Sequence, residues 1–218
     1  MKALNLPKKA IIFDMDGVLF DTELFYYERR RDFLTSRGIS IDHLPPAYFI
    51  GGNMKQVWRD ILGEDYDRWD VPQLQQDYNA HKASHPLPYK DLIFVDVPET
   101  LAHLAERGVA IGLASSSTLE DIELALEVTG LRSYFAFTLS GEDFPESKPD
   151  PAIYQAAVAE LGLPAADILV LEDSPKGIEA AVRAGLDVLA IKDNRFGLDQ
   201  SQATGYIDRV AEVLPLFG

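Results

Sequence analysis

The sequence predicts an α/β fold: a parallel sheet flanked by helices, with a small all-helical segment inserted directly after the first strand. Three observations carry this. Short apolar runs alternate with amphipathic helical stretches through most of the chain, the pattern of βαβ units. Helix starts and stops are marked chemically, with a capping side chain and proline at one end and glycine followed by an apolar residue at the other. Between about Leu19 and Lys90 the alternation fails, and only helical patterns remain.

In order along the chain, Ala10–Phe13 reads as the first buried strand. The inserted segment follows, with helices expected over Leu24–Arg37, Asn53–Leu62 and Val71–Ala83, punctuated by Pro45-Pro46 and His85-Pro86-Leu87-Pro88. Beyond it come a helix over Pro98–Arg107, a strand over Val109–Ala114 and a helix over Leu119–Thr129. A strand over Phe135–Leu139, a helix over Pro151–Leu161, a strand over Ile168–Leu171, a helix over Pro175–Ala184 and a strand over Val188–Ile191 complete the pattern. Asp150-Pro151 and Ser174-Pro175 are the marked helix starts; Gly38, Gly108, Gly130, Gly162 and Gly185 are the marked stops. The expected division is a core of residues 1–18 and 91–218 around a helical segment of residues 19–90.

At 218 residues the chain is long enough to bury a full core, and 47% apolar residues make disorder a poor reading. A formal charge of −15 repels polyanions, which excludes a nucleic-acid polymer or an anionic membrane as the expected partner. The absence of cysteine rules out disulfides, a thiolate nucleophile and thiolate zinc sites. The opening Met1–Lys9 lacks the apolar region of a signal peptide, and no stretch approaches the roughly 18 apolar residues of a membrane span. A soluble cytoplasmic protein, monomeric or weakly dimeric, is the expectation.

In an open parallel sheet, ligands gather beyond the carboxyl ends of the strands. Asp14 and Asp16 leave the first such end close enough to repel unless a cation or proton lies between them. An Asp-Gly turn is the ordinary reading, and an EF-hand start fails because Val18 and Leu19 stand where an acid and a glycine belong. Glu172-Asp173 closes the fourth run, where unpaired buried carboxylates cost several kcal/mol. Magnesium would neutralise them, as a hard cation that prefers carboxylate and carbonyl oxygens. Ser115 and the amide of Ser116 sit at a third strand end, and Lys148 offers a positive charge from the loop before a helix. Singly these are a capping serine, a surface lysine and a solvated acidic pair. Together, at strand ends of one sheet, they supply what attack on a phosphate requires.

The segments Phe13-Asp14-Met15-Asp16-Gly17, Ser147-Lys148-Pro149-Asp150 and Leu171-Glu172-Asp173-Ser174 resemble, in order and wording, those of the haloacid dehalogenase superfamily. The likeness is greatest to its sugar-phosphate phosphatases and β-phosphoglucomutases. It implies a Rossmann-like core with a helical cap that sets substrate specificity, Mg²⁺ as cofactor and a small phosphorylated metabolite as partner. It also implies the roles. Asp14 would be the nucleophile, Asp16 the general acid/base, Ser115 a phosphate ligand, and Lys148 a bridge between phosphate and nucleophile. The metal would take Asp14, the carbonyl of Asp16 and Asp173, with Glu172 nearby or holding a metal-bound water. Thr22, Glu23, Tyr26, Gly51, Lys55 and Ser116 would face the substrate. Dehalogenases of the superfamily lack the second aspartate and the metal, so Asp16 disfavours dehalogenation.

The resemblance thins after Asp21-Thr22-Glu23. The mutases carry histidine where this chain has Tyr26, and a cap arginine near the position of Met54, although a shift of register would bring in Lys55 or Arg59. A mutase must hold a bisphosphate at both ends, so these losses favour hydrolysis. The expected activity is Mg²⁺-dependent hydrolysis of a sugar or nucleoside phosphate. A β-phosphoglucomutase is the rival enzyme, a phosphate-sensing module without turnover is the non-enzymatic rival, and phosphonate or pyrophosphate hydrolysis is a further one. Phe25, Tyr26, Tyr27 and Trp58 read mainly as packing of the helical segment, and Arg29-Arg30-Arg31 as a solvated helix face. His43, His81, His85 and His103 show no metal-ligand spacing.

Overall fold

The computed structural model describes residue 4, residues 6–51 and residues 54–218, excluding the side chains of residues 54–56. The elements run β1 (Ala10–Phe13), α1 (Glu23–Thr35), α2 (Pro46–Phe49), α3 (Met54–Leu62), α4 (Val71–Ser84), α5 (Tyr89–Leu92) and α6 (Val97–Glu106). Then follow β2 (Ala110–Ser115), α7 (Leu119–Thr129), β3 (Phe137–Ser140), α8 (Ala152–Leu161), β4 (Ile168–Glu172), α9 (Pro175–Arg183), β5 (Asp187–Ile191) and β6 (Gly205–Ile207). They form one six-stranded parallel sheet of order β3-β2-β1-β4-β5-β6, so the strand order reverses beside β1.

Register decides what meets at that reversal. Phe13 lies level with Leu113 of β2 and Leu171 of β4, and the Asp14 amide donates to the Leu171 carbonyl at 2.9 Å. Asp14, Ser115 and Glu172 therefore leave three neighbouring strands at one sheet edge. Alternate residues of β1 feed separate cores: Ile11 and Phe13 enter one cluster with Leu101, Leu126 and Val213, while Ala10 and Ile12 enter another with Tyr154 and Ile178.

A third apolar cluster comes entirely from the inserted segment, including Phe33, Leu34, Trp58, Ile61, Leu74 and Tyr78. Trp58 is buried there as expected, and its indole donates to Gln75 at 2.7 Å. Phe25 instead is exposed, and Tyr26 packs against the sheet cluster. That sheet cluster also takes in Leu19, Phe20, Leu87 and Tyr89, so core packing reaches past the expected boundaries at residues 18 and 91.

Most elements fall within two residues of expectation. Strand β3 starts late because the 3₁₀ turn Arg132–Tyr134 first carries Phe135 into the core, edge-on to Phe13 at 6.3 Å. Pro151, rather than Asp150, takes the N-cap position of α8, although the Asp150 carboxylate accepts from the Ala152 amide at 2.9 Å. Ser174 caps α9 as expected, accepting from the Gly177 amide at 3.0 Å. The short helices α2 and α5 and the three-residue edge strand β6 were not anticipated, being too brief for a periodic signal. Among the described residues no helix is long and apolar enough to cross a membrane.

Candidate active site

At the carboxyl edge of the sheet lies a cavity of about 680 Å³, walled on one side by the strand ends and on the other by α1, α4 and the loop at Gly51. Asp14, Asp16, Ser115, Ser116, Lys148, Asp173, Glu23, Tyr26 and Gly51 all line it. The side chain of Lys55 lies outside the described residues.

Lys148 is the buried hub of the site. Its ammonium donates to Asp14 Oδ1 at 2.6 Å, Glu172 Oε1 at 2.7 Å, the Ala114 carbonyl at 3.0 Å and the Tyr154 hydroxyl at 3.1 Å. Burial alone would lower its pKa, but the Asp14 and Glu172 carboxylates outweigh burial and hold it well above the ordinary lysine value. Lys148 therefore stays cationic. Glu172 is fully buried, and both its oxygens are engaged. Oε1 accepts from Lys148 and from Tyr154 at 2.9 Å, while Oε2 accepts from the Asp173 and Ser174 amides and the Ser174 hydroxyl at 3.0–3.1 Å. It is the fixed base beneath Lys148 and the β4–α9 turn.

Asp16 is gripped from both sides. The Thr22 hydroxyl donates to Oδ1 at 2.6 Å and the Ser117 hydroxyl to Oδ2 at 2.7 Å. Burial raises the Asp16 pKa, and these two bonds pull against it. Thr22, expected to face the substrate, is fully buried behind Asp16, so its place is in orienting that carboxylate. Ser115 is buried too, its oxygen accepting from the Ser117 amide at 3.0 Å and shaping the turn that aims Ser117 at Asp16.

The carboxylates fit a cation. Asp14, Glu172 and Asp173 each bring an oxygen within 4.8 Å of the others. Because Glu172 is already occupied by donors, Asp14 and Asp173 are the acids left to hold the ion. Asp14 is pushed up to about 8, chiefly by burial and further by Glu172 and Asp16, with Lys148 opposing. Glu23 is also pushed up to about 8, by burial, Asp16 and Asp14, against Arg30. Asp173 is raised by burial and then by Glu23 and Glu172. A set of oxygens that cannot all ionise unaided matches a hard divalent cation such as Mg²⁺.

Sequence reasoning missed four contributors. Ser117 follows Ser115 and Ser116, and only the turn geometry distinguishes it from them. Tyr154 lies on the helix after the Lys148 loop, with an apolar signature. Arg29 and Arg30 were read as solvated, yet both line the cavity, Arg30 buried over the Phe49 ring at 4.3 Å; only Arg31 fits the solvated reading. Gly51 approaches the core so closely that an added Cβ would lie 2.8 Å from Ser174 Oγ, which places the inserted segment directly over the cavity.

Known proteins resemble this chain in sequence and in fold. In solved structures the chain resembles β-phosphoglucomutase from Clostridium difficile, with a TM-score of 0.80 at 21% identity, covering 94% of this chain and 92% of that one. Among curated relatives it is 30% identical to hexitol phosphatase B of Escherichia coli K12, covering 86% of each. It is 33% identical to the phosphoglycolate phosphatase of Pectobacterium atrosepticum, covering 96% of this chain and 92% of the relative. A family model for haloacid dehalogenase-like hydrolases matches residues 11–191, from β1 through β5. The chain belongs to the haloacid dehalogenase-like hydrolase family.

Proposed function

We propose that the protein is a Mg²⁺-dependent phosphatase that hydrolyses a small phosphate monoester, of a sugar or a related hydroxylated metabolite, through an aspartyl phosphate. The observation that carries this reading is the pairing of Lys148 with Asp14 beside the separately clamped Asp16. One carboxylate is held for attack and the other for proton transfer. The phosphatase names of the curated relatives agree with it.

Lys148 fixes Asp14 through Oδ1 and leaves Oδ2 for phosphorus. Attack by Asp14 forms a P–O bond and breaks the ester P–O bond, while Asp16 delivers its proton to the departing alkoxide. Water then attacks the aspartyl phosphate, Asp16 takes its proton, and the Asp14–phosphorus bond breaks to release inorganic phosphate. Mg²⁺, held by Asp14, Asp173 and the Asp16 carbonyl, would supply charge neutralisation for carboxylate and phosphate. Acid/base catalysis accounts for only about 10²–10⁴ of accelerations that reach about 10²¹ for such esters. Positioning and charge must supply the rest, which is the work of the buried Lys148 network. The inserted segment at Gly51 lies over the cavity, where its closure would limit the access of bulk water.

The test is incubation with β-glucose 1-phosphate and Mg²⁺, with other sugar and nucleoside phosphates in parallel, following free phosphate and glucose 6-phosphate together. Free phosphate without the 6-phosphate is expected. Glucose 6-phosphate without net phosphate release would replace this reading with that of a mutase.

A further inference from the structure

We propose that Gln200 is a positioning residue for the metal centre: its buried side-chain amide holds the turn that carries Asp173, so that Asp173 faces the ion's place before the ion arrives. This rests on the phosphatase reading, with Asp173 as a metal ligand. It extends the working site to residues 192–204, the segment between β5 and β6, none of which lines the cavity.

A ligand placed among acids needs bonds of its own. An oxygen of Asp173 lies within 4.8 Å of oxygens from Asp14 and Glu172, and like charges this close push one another apart. The backbone of Asp173 is fixed on both sides against that push. Its amide donates to Glu172 Oε2 at 3.0 Å, and its carbonyl accepts from Gln200 Nε2 at 2.6 Å. With both peptide groups held, the direction of the Cα–Cβ bond is set. The carboxylate then stands against Gly17, where an added Cβ would lie 2.1 Å from Asp173 Oδ2. A ligand pre-aimed in this way loses less on binding than one that must be ordered by the ion.

Gln200 suits this place by its chemistry. It is 6% exposed; Nε2 also donates to the Ile191 carbonyl at 2.7 Å, and Oε1 accepts from the Asp193 amide at 3.0 Å. One atom thus spends its two hydrogens at the ends of the neighbouring parallel strands β4 and β5, while the other fixes the loop that follows. A primary amide offers that combination of donors and acceptor, and asparagine is a methylene short of it. The loop that presents Gln200 is held in turn. The Asp193 carboxylate accepts from the amides of Arg195, Phe196 and Leu198 at 2.7–2.9 Å, and the Gln200 carbonyl accepts from the Tyr206 hydroxyl at 3.0 Å. Arg195 adds an ion pair with Asp21 at 2.7 Å, but both side chains are more than two-fifths exposed, and such pairs contribute little. The buried amide is the tie that reaches Asp173.

Titration of the full chain with Mn²⁺, followed by electron paramagnetic resonance, tests this on wild type, Gln200→Met, Gln200→Asn and Tyr206→Phe. Gln200→Met keeps the length of the side chain, removes both donors and should weaken Mn²⁺ binding by about 10–100-fold, the effect of removing a ligand's outer support. Gln200→Asn keeps the amide but withdraws it by a methylene, and its affinity should fall between those of Gln200→Met and wild type. Tyr206→Phe loosens the same loop without touching the amide and should bind as tightly as wild type. Misfolding lowers the number of sites per chain, whereas lost positioning lowers affinity at an unchanged number, so one titration reads the two apart. If Gln200→Met yields no folded sites, Gln200→Asn decides: weaker binding upholds the role and wild-type affinity overturns it. Unchanged affinity in Gln200→Met, or an equal loss in Tyr206→Phe, overturns the role of Gln200 and leaves the metal-dependent phosphatase reading standing. Failure of wild type to bind Mn²⁺ overturns that reading, and the role of Gln200 with it.

Discussion

Lys148 and Glu172 form a buried ion pair at 2.7 Å, although only Lys148 also reaches Asp14, at 2.6 Å. Glu172 spends both oxygens on five protein donors, so it holds the lysine rather than the substrate. Glu172→Gln turns an amide NH₂ toward donors and removes one of the two charges that keep Lys148 protonated. We predict a loss of about 3–5 kcal/mol of stability, read by urea denaturation. A loss below about 1 kcal/mol, the scale of an exposed pair, would remove Glu172 from this role.

Through Asp14, stability depends on pH and, in the proposed Mg²⁺ site, on the metal. The aspartate's folded-state pKa of about 8 lies above the ordinary 3.8, so the folded protein retains a proton that the unfolded chain has lost. The chelated protein should therefore lose stability as pH rises from about 4 through about 8, and Mg²⁺ should raise Tm more at pH 8 than at pH 6. Asp14→Asn should abolish phosphate release, keep the fold and flatten this decline. Full activity in that variant would remove the nucleophile assignment, and undiminished rates with EDTA would remove the metal.

Ser117 offers a test of Asp16 that leaves Asp16 in place. Its bond, together with that of Thr22, opposes the rise that burial imposes on the carboxylate. Ser117→Ala should move the limb of the pH–rate profile that Asp16 controls to higher pH and lower kcat by roughly tenfold, part of what a general acid contributes. An unmoved profile would sink the clamp.

Gly17 has φ +76°, and a Cβ there would sit 2.1 Å from Asp173 Oδ2. Gly17→Ala meets both a left-handed backbone, costing about 1–2 kcal/mol, and a direct collision with the Asp173 carboxylate, which we propose as a metal ligand. Mn²⁺ binding followed by electron paramagnetic resonance should weaken by at least about tenfold, the effect of disturbing a ligand's support. Unchanged affinity would mean that Asp173 is not a ligand.

Much of this protein was legible along the chain because its signals are local. Strand runs bounded by capped helices determined the parallel sheet, and the sheet's chemistry determined that Asp14, Asp16, Lys148 and Asp173 would meet at its edge. The tertiary structure decided which way polar residues face. Thr22 turns behind Asp16 while Arg29 and Arg30 turn into the cavity, against their reading as a solvated face. Ser117 and Tyr154 became site residues through contacts spanning 101 residues for Ser117 and Asp16, and 18 for Tyr154 and Glu172. The physical reason is the difference between the two kinds of information. Hydrophobic period and backbone capping act within a few residues and are written in order. The partner of a polar side chain is selected by desolvation across distant segments, and no local pattern encodes it.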